Sequence, residues 1–207
     1  RNYIEKNDVL RVAEWAEKKN IKFVVDESFV DFAETEGSST LLEEEIIKAY
    51  NNLIVVKSIS KSFGVPGLRL GILASNDLQL ISDMKKDVAI WNINSFAEFY
   101  MQIFEKYKSN YEEALVKFKE VRKEYVELLN GIEYLRVIPS QANYLMCELT
   151  GQMTSRELTE ILLNEYNILI KDLSSKNGFS GKSYIRVAVK RPEENMKLVE
   201  AIKSVLI

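Results

Sequence analysis

Apolar and polar positions alternate in blocks over the first part of the chain. Three short apolar runs, at 21–25, 53–56 and 70–74, predict buried strands, because each is too short for a helix and is dominated by aliphatic residues. Apolar residues at helical spacing after Asn7, and again over 41–50, predict a helix before each of the first two strands. This alternation is typical of an α/β fold with a largely parallel sheet and crossover helices.

The second part of the chain shows a different order of elements. Helices are predicted over about 76–86, from Ser95, and over about 110–129, where a long charged segment ends before Gly131. The strands beyond it are predicted at 135–138, 144–149, 168–170 and 184–189, and the helices at 155–166 and 192–206. These elements predict a small α+β layer. We therefore expect two domains, residues 1–107 and 108–207, with the boundary inside the long helix.

Composition and charge narrow the function classes. A net charge of −3 with both signs interspersed gives no indication of binding to nucleic acid or to an anionic membrane surface. The apolar runs are too short to span a bilayer, and the first residues lack the apolar segment of a signal peptide. The single Cys147 cannot form an internal disulfide, which favours a cytoplasmic location. The absence of histidine argues against a metal site and excludes a histidine-dependent hydrolase.

The segment 58–71, between the second and third predicted strands, gathers the polar side chains of most chemical interest. In open α/β sheets, ligands usually bind at such strand ends. Lys61 is the natural candidate for covalent chemistry or proton transfer in a chain without histidine, and the neighbouring strand ends are expected to desolvate its amine. Ser58, Ser60 and Arg69, together with the loop amides, could bind a phosphate. Considered singly, Lys61 also fits a surface loop and each serine a turn.

Two further charged residues lie at the end of, or within, apolar strands. Asp26 ends the first predicted strand and is expected to face the same crevice as Lys61, because parallel strands end at one edge of a sheet. The alternative for Asp26 is a helix cap or a salt bridge. Arg186 lies inside the apolar run 184–189 and needs an anion, either a protein carboxylate or a substrate carboxylate.

Three stretches in this order resemble the class I/II, fold type I, pyridoxal-phosphate-dependent aminotransferases. They are VVDESFVDF at 24–32, SISKSFGVPGLRLG at 58–71 and YIRVAV at 184–189. The sequences PGLRLG at 66–71 and SQANY at 140–144 are similar to the branch of histidinol-phosphate aminotransferase and threonine-phosphate decarboxylase. The resemblance implies a partial fold type I architecture, with an incomplete, mostly parallel sheet in a large domain and a small α+β C-terminal domain.

The resemblance also implies roles around the cofactor, pyridoxal 5′-phosphate. Lys61 would form a Schiff base with the cofactor and then move protons as general base and acid. Asp26 would keep the pyridine nitrogen protonated, so that the ring remains an electron sink. Ser58, Ser60 and Arg69 would bind the cofactor phosphate.

One substrate contact and one departure follow from the same resemblance. Arg186 would bind the α-carboxylate of the substrate and so orient the bond to be broken. Phe29 stands where many aminotransferases have a tyrosine that hydrogen-bonds the ring hydroxyl of the cofactor. The decarboxylase branch resembles this sequence at that position.

The implied function is transfer of an amino group between an amino acid and a 2-oxo acid. Phosphorylated amino acids are among the substrates considered. The alternative is pyridoxal-phosphate-dependent decarboxylation of an amino-acid phosphate, which Phe29 and the pair Pro66 and Gly67 indicate. A third hypothesis is a catalytically incompetent fragment or an interaction domain, because the resemblance covers only the C-terminal part of the family's length. The expected partners are small-molecule substrates and a second copy in a homodimer, with no nucleic acid and no membrane.

Overall fold

The computed structural model of the chain describes residues 3–35, 37–179 and 181–206. Contacts divide the described residues into two compact units, one of residues 3–115 and one from Val116 onward. The division falls inside the helix Lys108–Asn130. Each unit contains its own sheet. None of the helices formed by the described residues has the length and hydropathy needed to cross a membrane.

The described residues form seven α-helices. They are α1 (Lys6–Lys18), α2 (Glu44–Ala49), α3 (Leu78–Asp87), α4 (Ser95–Phe104), α5 (Lys108–Asn130), α6 (Ser155–Tyr166) and α7 (Pro192–Leu206). The predicted bounds of the last two helices are confirmed. Two predicted helix starts are wrong by one or a few residues: Glu5 precedes α1, and Asn94, not Ser95, accepts the Ala97 amide at 3.0 Å as the N-cap of α4.

The first unit contains a three-stranded sheet in the order β1–β2–β3. Its strands are β1 (Phe23–Asp26), β2 (Leu53–Ser58) and β3 (Gly71–Ser75). β1 and β2 are parallel, as predicted, and α2 lies in their connection. β3 is antiparallel to β2, so the expected parallel pattern is wrong for this strand. The reason is that residues 59–70 form turns and one short 3₁₀ helix, not the crossover helix that a parallel return normally uses.

The core of this unit lies under β2. Leu41, Leu53 and Val55 are almost fully buried there, and apolar side chains of α1 and α2 pack against them. Helix α2 begins three residues later than the predicted position 41. The reason is that the Leu41 amide donates to the buried Glu27 carboxylate at 2.5 Å and the Leu42 amide to Thr40 Oγ1 at 3.1 Å, which holds a non-helical turn before the helix.

The second unit contains a four-stranded sheet in the order β4–β5–β7–β6, with all its strand pairs antiparallel. The strands are β4 (Leu135–Ile138), β5 (Tyr144–Leu149), β6 (Lys171–Asp172) and β7 (Ser183–Ala188). Residues of β5 and β7 alternate between a buried and a more open face, and the buried face packs on α5, α6 and α7. Cys147 is fully buried on this face, and burial raises the pKa of its thiol to about 12.

The strand predicted at 168–170 is wrong. Asn167 adopts a left-handed conformation with φ 55° after α6, and the Ile168 amide donates to the Leu162 carbonyl at 2.9 Å. This is helix-capping geometry, so the apolar residues 168–170 follow the cap instead of entering the sheet. Ile170 is buried in the core for this reason, and the strand begins only at Lys171.

Candidate active site at the ends of two parallel strands

Asp26 and Ser58 end the parallel strands β1 and β2 at the same edge of the first sheet. The side chain of Ser28 connects them. Its hydroxyl donates to Asp26 Oδ1 at 2.5 Å and accepts from the Ser58 amide at 3.1 Å, and its own amide donates to the same Oδ1 at 2.9 Å. The predicted convergence of Asp26 with the end of the second strand is therefore present.

Lys61 lies in the turn that follows β2. The Phe63 amide donates to the Ile59 carbonyl at 3.1 Å and the Gly64 amide to the Lys61 carbonyl at 3.3 Å, and Gly64 has a positive φ of 66°. The Lys61 ammonium lies 5.2 Å from the centre of the Phe29 ring, which contributes a cation–π contact. Phe29 follows Asp26 by three residues, so this contact places the Lys61 ammonium near the C-terminal end of β1. The expected burial of Lys61 is wrong, because the turn leaves its side chain exposed.

The two serines of the proposed phosphate site differ in their surroundings. Ser58 is the half-buried last residue of β2, whereas Ser60 is 7% exposed and lies in the turn. The chain leaves β2 after Ser58 and turns at residues 59–60, so the two serines do not lie on one extended segment.

Arg69 precedes β3 by two residues and is exposed. Its backbone has a positive φ of 57°, a conformation that is unusual for a residue with a side chain. Its guanidinium contacts the Pro66 carbonyl at 3.5 Å, and Asn94 holds the neighbouring Leu68 carbonyl at 2.9 Å. Backbone outliers of this kind are concentrated at functional sites of proteins.

A buried ion pair lies beside this loop and is not predicted from the sequence. Lys57 Nζ contacts Asp31 Oδ1 at 2.6 Å, and the two side chains are 8% and 16% exposed. The signal in the sequence is the alternation of β2, because Lys57 occupies the same inward-facing set as Leu53 and Val55. A cation in that set requires a partner such as Asp31.

An aromatic cluster supports the turn from the other side. The Phe63 ring stacks on Tyr111 with centroids 4.3 Å apart and an interplanar angle of 9°, and Phe104 contacts both rings. Burial, with a smaller contribution from the Asp31 carboxylate, raises the pKa of Tyr111 well above its usual value. Phe63, two residues after Lys61, is thus held in place by stacking.

Arg186 belongs to the second unit and lies on the more open face of its sheet. It is exposed, and its guanidinium stacks 4.9 Å from the centre of the Tyr144 ring. Its cross-strand neighbour is Lys171, and no carboxylate of the described residues lies within ion-pair distance of it. Of the two anions considered for Arg186, a protein carboxylate is thus not found in the described part of the chain.

A second cationic side chain on that face, Arg136, does form an ion pair with a carboxylate. Arg136 Nε donates to Glu148 at 2.7 Å, and Lys182 contacts the same carboxylate at 3.1 Å. These contacts, the one with Arg136 first, hold the pKa of Glu148 below its usual value. Within the described ranges, no group of three or more acidic or sulfur side chains is arranged to hold a metal ion.

A sequence profile of the family described as aminotransferase class I and II matches residues 2–202. The chain belongs to this family. Members of the family depend on pyridoxal phosphate, which agrees with the cofactor that the resemblance implied. The expected fold type I architecture is likewise confirmed by similarity to solved structures.

The relatives carry two kinds of name. L-serine phosphate decarboxylase of Sulfurospirillum multivorans is 35% identical over 193 residues, which cover 89% of this chain and 47% of the relative. The crystal structure of histidinol-phosphate aminotransferase from Clostridium acetobutylicum has a TM-score of 0.87 at 31% identity, with 98% of this chain and 59% of that one covered. L-threonine-O-3-phosphate decarboxylase from Porphyromonas gingivalis has a TM-score of 0.83 at 26% identity, with coverage of 98% and 60%. The chain therefore spans about half to three-fifths of these relatives.

The residues at the ends of β1 and β2 fit the cofactor of the family. Lys61 presents an exposed amine, and no carboxylate of the described residues lies within ion-pair distance of it. The Asp26 carboxylate is oriented by two donors from Ser28. The hydroxyls of Ser58, at the end of β2, and of Ser60, in the turn after it, are donors of the kind that phosphate groups accept from.

Proposed function

We propose that the protein to which this chain contributes is a pyridoxal-phosphate-dependent enzyme that acts at the α-carbon of an amino acid. The observation that carries the proposal is the placement of Asp26 at the end of β1 and of Lys61 in the turn that follows the parallel neighbour β2, with Ser28 joining the two strand ends. When bound, the cofactor supplies an electron sink that weakens the bonds at the substrate α-carbon.

Each predicted site residue takes one part in this proposal. The Lys61 amine would hold the cofactor covalently and then accept and return a proton at the substrate α-carbon. The Asp26 carboxylate would hold the proton on the ring nitrogen. Ser58, Ser60 and Arg69 would bind the phosphate group.

Substrate orientation would fall to Arg186. An exposed guanidinium that stacks on an aromatic ring, with no carboxylate of the described residues within ion-pair distance, is suited to bind a substrate carboxylate in a fixed plane. Holding the carboxylate sets which bond at the α-carbon is broken.

Decarboxylation of an amino-acid phosphate is the reaction that we place first. Phe29, at the position where many aminotransferases have tyrosine, contacts Lys61, and the relatives include decarboxylases of serine phosphate and threonine phosphate. Transamination with a 2-oxo acid, which the sequence alone places first, is the second candidate, and the similarity to histidinol-phosphate aminotransferase supports it. Release of carbon dioxide from a phosphorylated amino acid without any 2-oxo acid would identify the first; dependence on a 2-oxo acid would identify the second.

Reduction of the full-length protein with borohydride in the presence of the cofactor tests the shared part of the proposal. The reduced cofactor is expected on the peptide that contains Lys61, and Lys61→Ala should abolish the label. Label on any other lysine contradicts the assignment. An exposed lysine of α3, changed as Lys85→Ala, is the matched control and should leave the label in place.

The third hypothesis concerns the chain by itself. Because it spans about half of its relatives, we expect it to bind the cofactor weakly or not at all when isolated. Adding the cofactor to the isolated chain and recording its visible absorption tests this. A strong band from the lysine-bound cofactor would contradict the expectation.

The proposal also covers the domain organisation, the assembly and the cellular location of the protein. Residues 1–107 would belong to the cofactor-binding domain and 108–207 to the small domain of a homodimer in the cytoplasm, with small-molecule substrates as the other partners. Exposed apolar side chains of the first unit support association, since such surfaces favour contact with another chain: Trp91 is 90% exposed and Phe96 80%. Light scattering that shows a monomer at high concentration would contradict the dimer.

A further inference from the structure

The hydroxyl of Ser28 occupies an unusual position between the two strand ends. Ser28 is 7% exposed, and its hydroxyl makes two hydrogen bonds at once, one donated to Asp26 and one accepted from Ser58. The donated bond, at 2.5 Å, has the length expected for a hydroxyl on a carboxylate. A single buried side chain therefore links the carboxylate to the backbone of the neighbouring strand.

The Ser28 hydroxyl takes the place of backbone hydrogen bonds at the point where the pairing of β1 with β2 stops. The register of β1 and β2 runs from Phe23 opposite Leu53 to Asp26 opposite Val56, and the Glu27 amide still donates to the Val56 carbonyl at 2.8 Å. Beyond that point β1 has ended, and the Ser58 amide donates to the Ser28 hydroxyl instead of a strand carbonyl. The bond gives the Ser58 amide a partner on the side where β1 no longer supplies a carbonyl.

The same link restricts the Asp26 carboxylate. Both the hydroxyl and the amide of Ser28 donate to Oδ1, so rotation of the carboxylate breaks two bonds. Because the hydroxyl is also bonded to Ser58, the carboxylate keeps a fixed position relative to β2. Lys61 follows Ser58 by three residues, so the two groups assigned to the cofactor share this support.

We propose that Ser28 is a positioning residue, which holds the Asp26 carboxylate in register with the strand that leads to Lys61. The proposal rests on the proposed function, in that the position of Asp26 relative to Lys61 has a chemical consequence only at a cofactor site. Ser28 itself touches neither the cofactor nor the substrate in this proposal.

The test uses the full-length protein and three variants. Ser28→Ala removes both hydroxyl bonds and should weaken cofactor affinity about tenfold, the effect of losing one hydrogen bond to a charged group. It should also change the visible circular dichroism per bound cofactor, which reports the orientation of the ring. Ser28→Thr keeps a hydroxyl and should restore most of both properties.

Ser75→Ala is the matched control. The Ser75 hydroxyl likewise makes two hydrogen bonds, one donated to the Leu53 carbonyl of β2 at 2.8 Å and one accepted from the Asp77 amide at 3.2 Å. It lies on β3, at the end of the β2–β3 pair that is away from Ser58. The Ser75→Ala variant should leave cofactor affinity and visible circular dichroism unchanged. Thermal unfolding of both alanine variants identifies any effect that comes from lost stability alone. Wild-type affinity and wild-type visible circular dichroism in Ser28→Ala would overturn the proposal.

A cofactor-free measurement separates this proposal from the proposed function. Hydrogen exchange of the Ser58 amide should accelerate at least tenfold in Ser28→Ala and remain slow in Ser75→Ala. If borohydride finds no cofactor on Lys61, the proposed function fails, while exchange at Ser58 still decides whether Ser28 joins the strands. Unchanged exchange at Ser58 in Ser28→Ala would overturn the link itself.

Discussion

The Lys61 ammonium lies 5.2 Å from the centre of the Phe29 ring. A residue that follows Asp26 by three positions thus contacts the lysine that follows β2, and the side chain at position 29 is beside any group attached to that lysine. Phe29 has no hydroxyl to donate, which distinguishes this site from those that carry a tyrosine there.

Phe29→Tyr should therefore strengthen cofactor binding in the full-length protein. One added hydrogen bond contributes about 0.5–1.5 kcal/mol, so we expect an affinity about 2- to 10-fold higher, measured by equilibrium titration. Phe99→Tyr, the same change at an exposed position of α4, is the control and should have no effect. Weaker binding in Phe29→Tyr would show that the hydroxyl does not reach the cofactor.

The buried pair of Lys57 and Asp31 should make a large contribution to the integrity of the first unit. Lys57→Met leaves the Asp31 carboxylate without its cation and should lower the free energy of unfolding by about 3 kcal/mol in urea titrations. The double variant Lys57→Met with Asp31→Leu should recover most of this loss, because it removes both buried charges. Lys48→Met, which breaks an exposed pair with Glu44, should cost less than about 1 kcal/mol.

Stacking of Tyr111 on Phe63 should control the mobility of the loop that carries Lys61. Tyr111→Leu removes the stacked ring, which is worth about 0.5–1.5 kcal/mol beyond the buried area, and should accelerate hydrogen exchange across residues 59–65. Tyr111→Phe keeps the ring and should preserve slow exchange. Tyr107→Leu, at a half-exposed position nearby in sequence, is the control. Equal exchange in Tyr111→Leu and the wild type would contradict the role of the stack.

The second unit should lose stability in acid through Glu148. Its hydrogen bonds with Arg136 and Lys182 hold its folded pKa below the ordinary value of 4.5, so this stabilisation is complete above that pH and is lost as the pH falls through the folded pKa. Glu148→Gln should flatten the dependence of unfolding on pH below about 4.5, where the ordinary carboxyl titrates. Glu165→Gln on α6 should leave the dependence unchanged. A Glu148→Gln profile that is parallel to the wild type would contradict the assignment.

Most of the strands and the Lys61 loop could be predicted from the sequence, because apolar runs and a dense set of polar residues are local signals. The direction of β3 could not, because it depends on whether residues 59–70 form a helix or a turn. Ser28 has no local signal, since its role arises only from the register of β1 against β2.

The remaining differences have similar physical causes. The apolar run 168–170 is compatible both with a strand and with a segment that follows a helix cap and buries only Ile170 fully, and the left-handed conformation of Asn167 decides between the two. The burial of Lys57 was visible in the alternation of β2, but its partner Asp31 lies 26 residues earlier in the chain.

The complete burial of Cys147 gives the second unit a chemical reporter of its own opening. It is the single thiol in the chain, and a thiol reagent can reach it only when β5 separates from the helices that cover it. The rate of alkylation should therefore follow the fraction of molecules in which this unit is open, without any label or engineered residue. Comparing that rate with unfolding of the whole protein would measure whether the two units open together or one at a time.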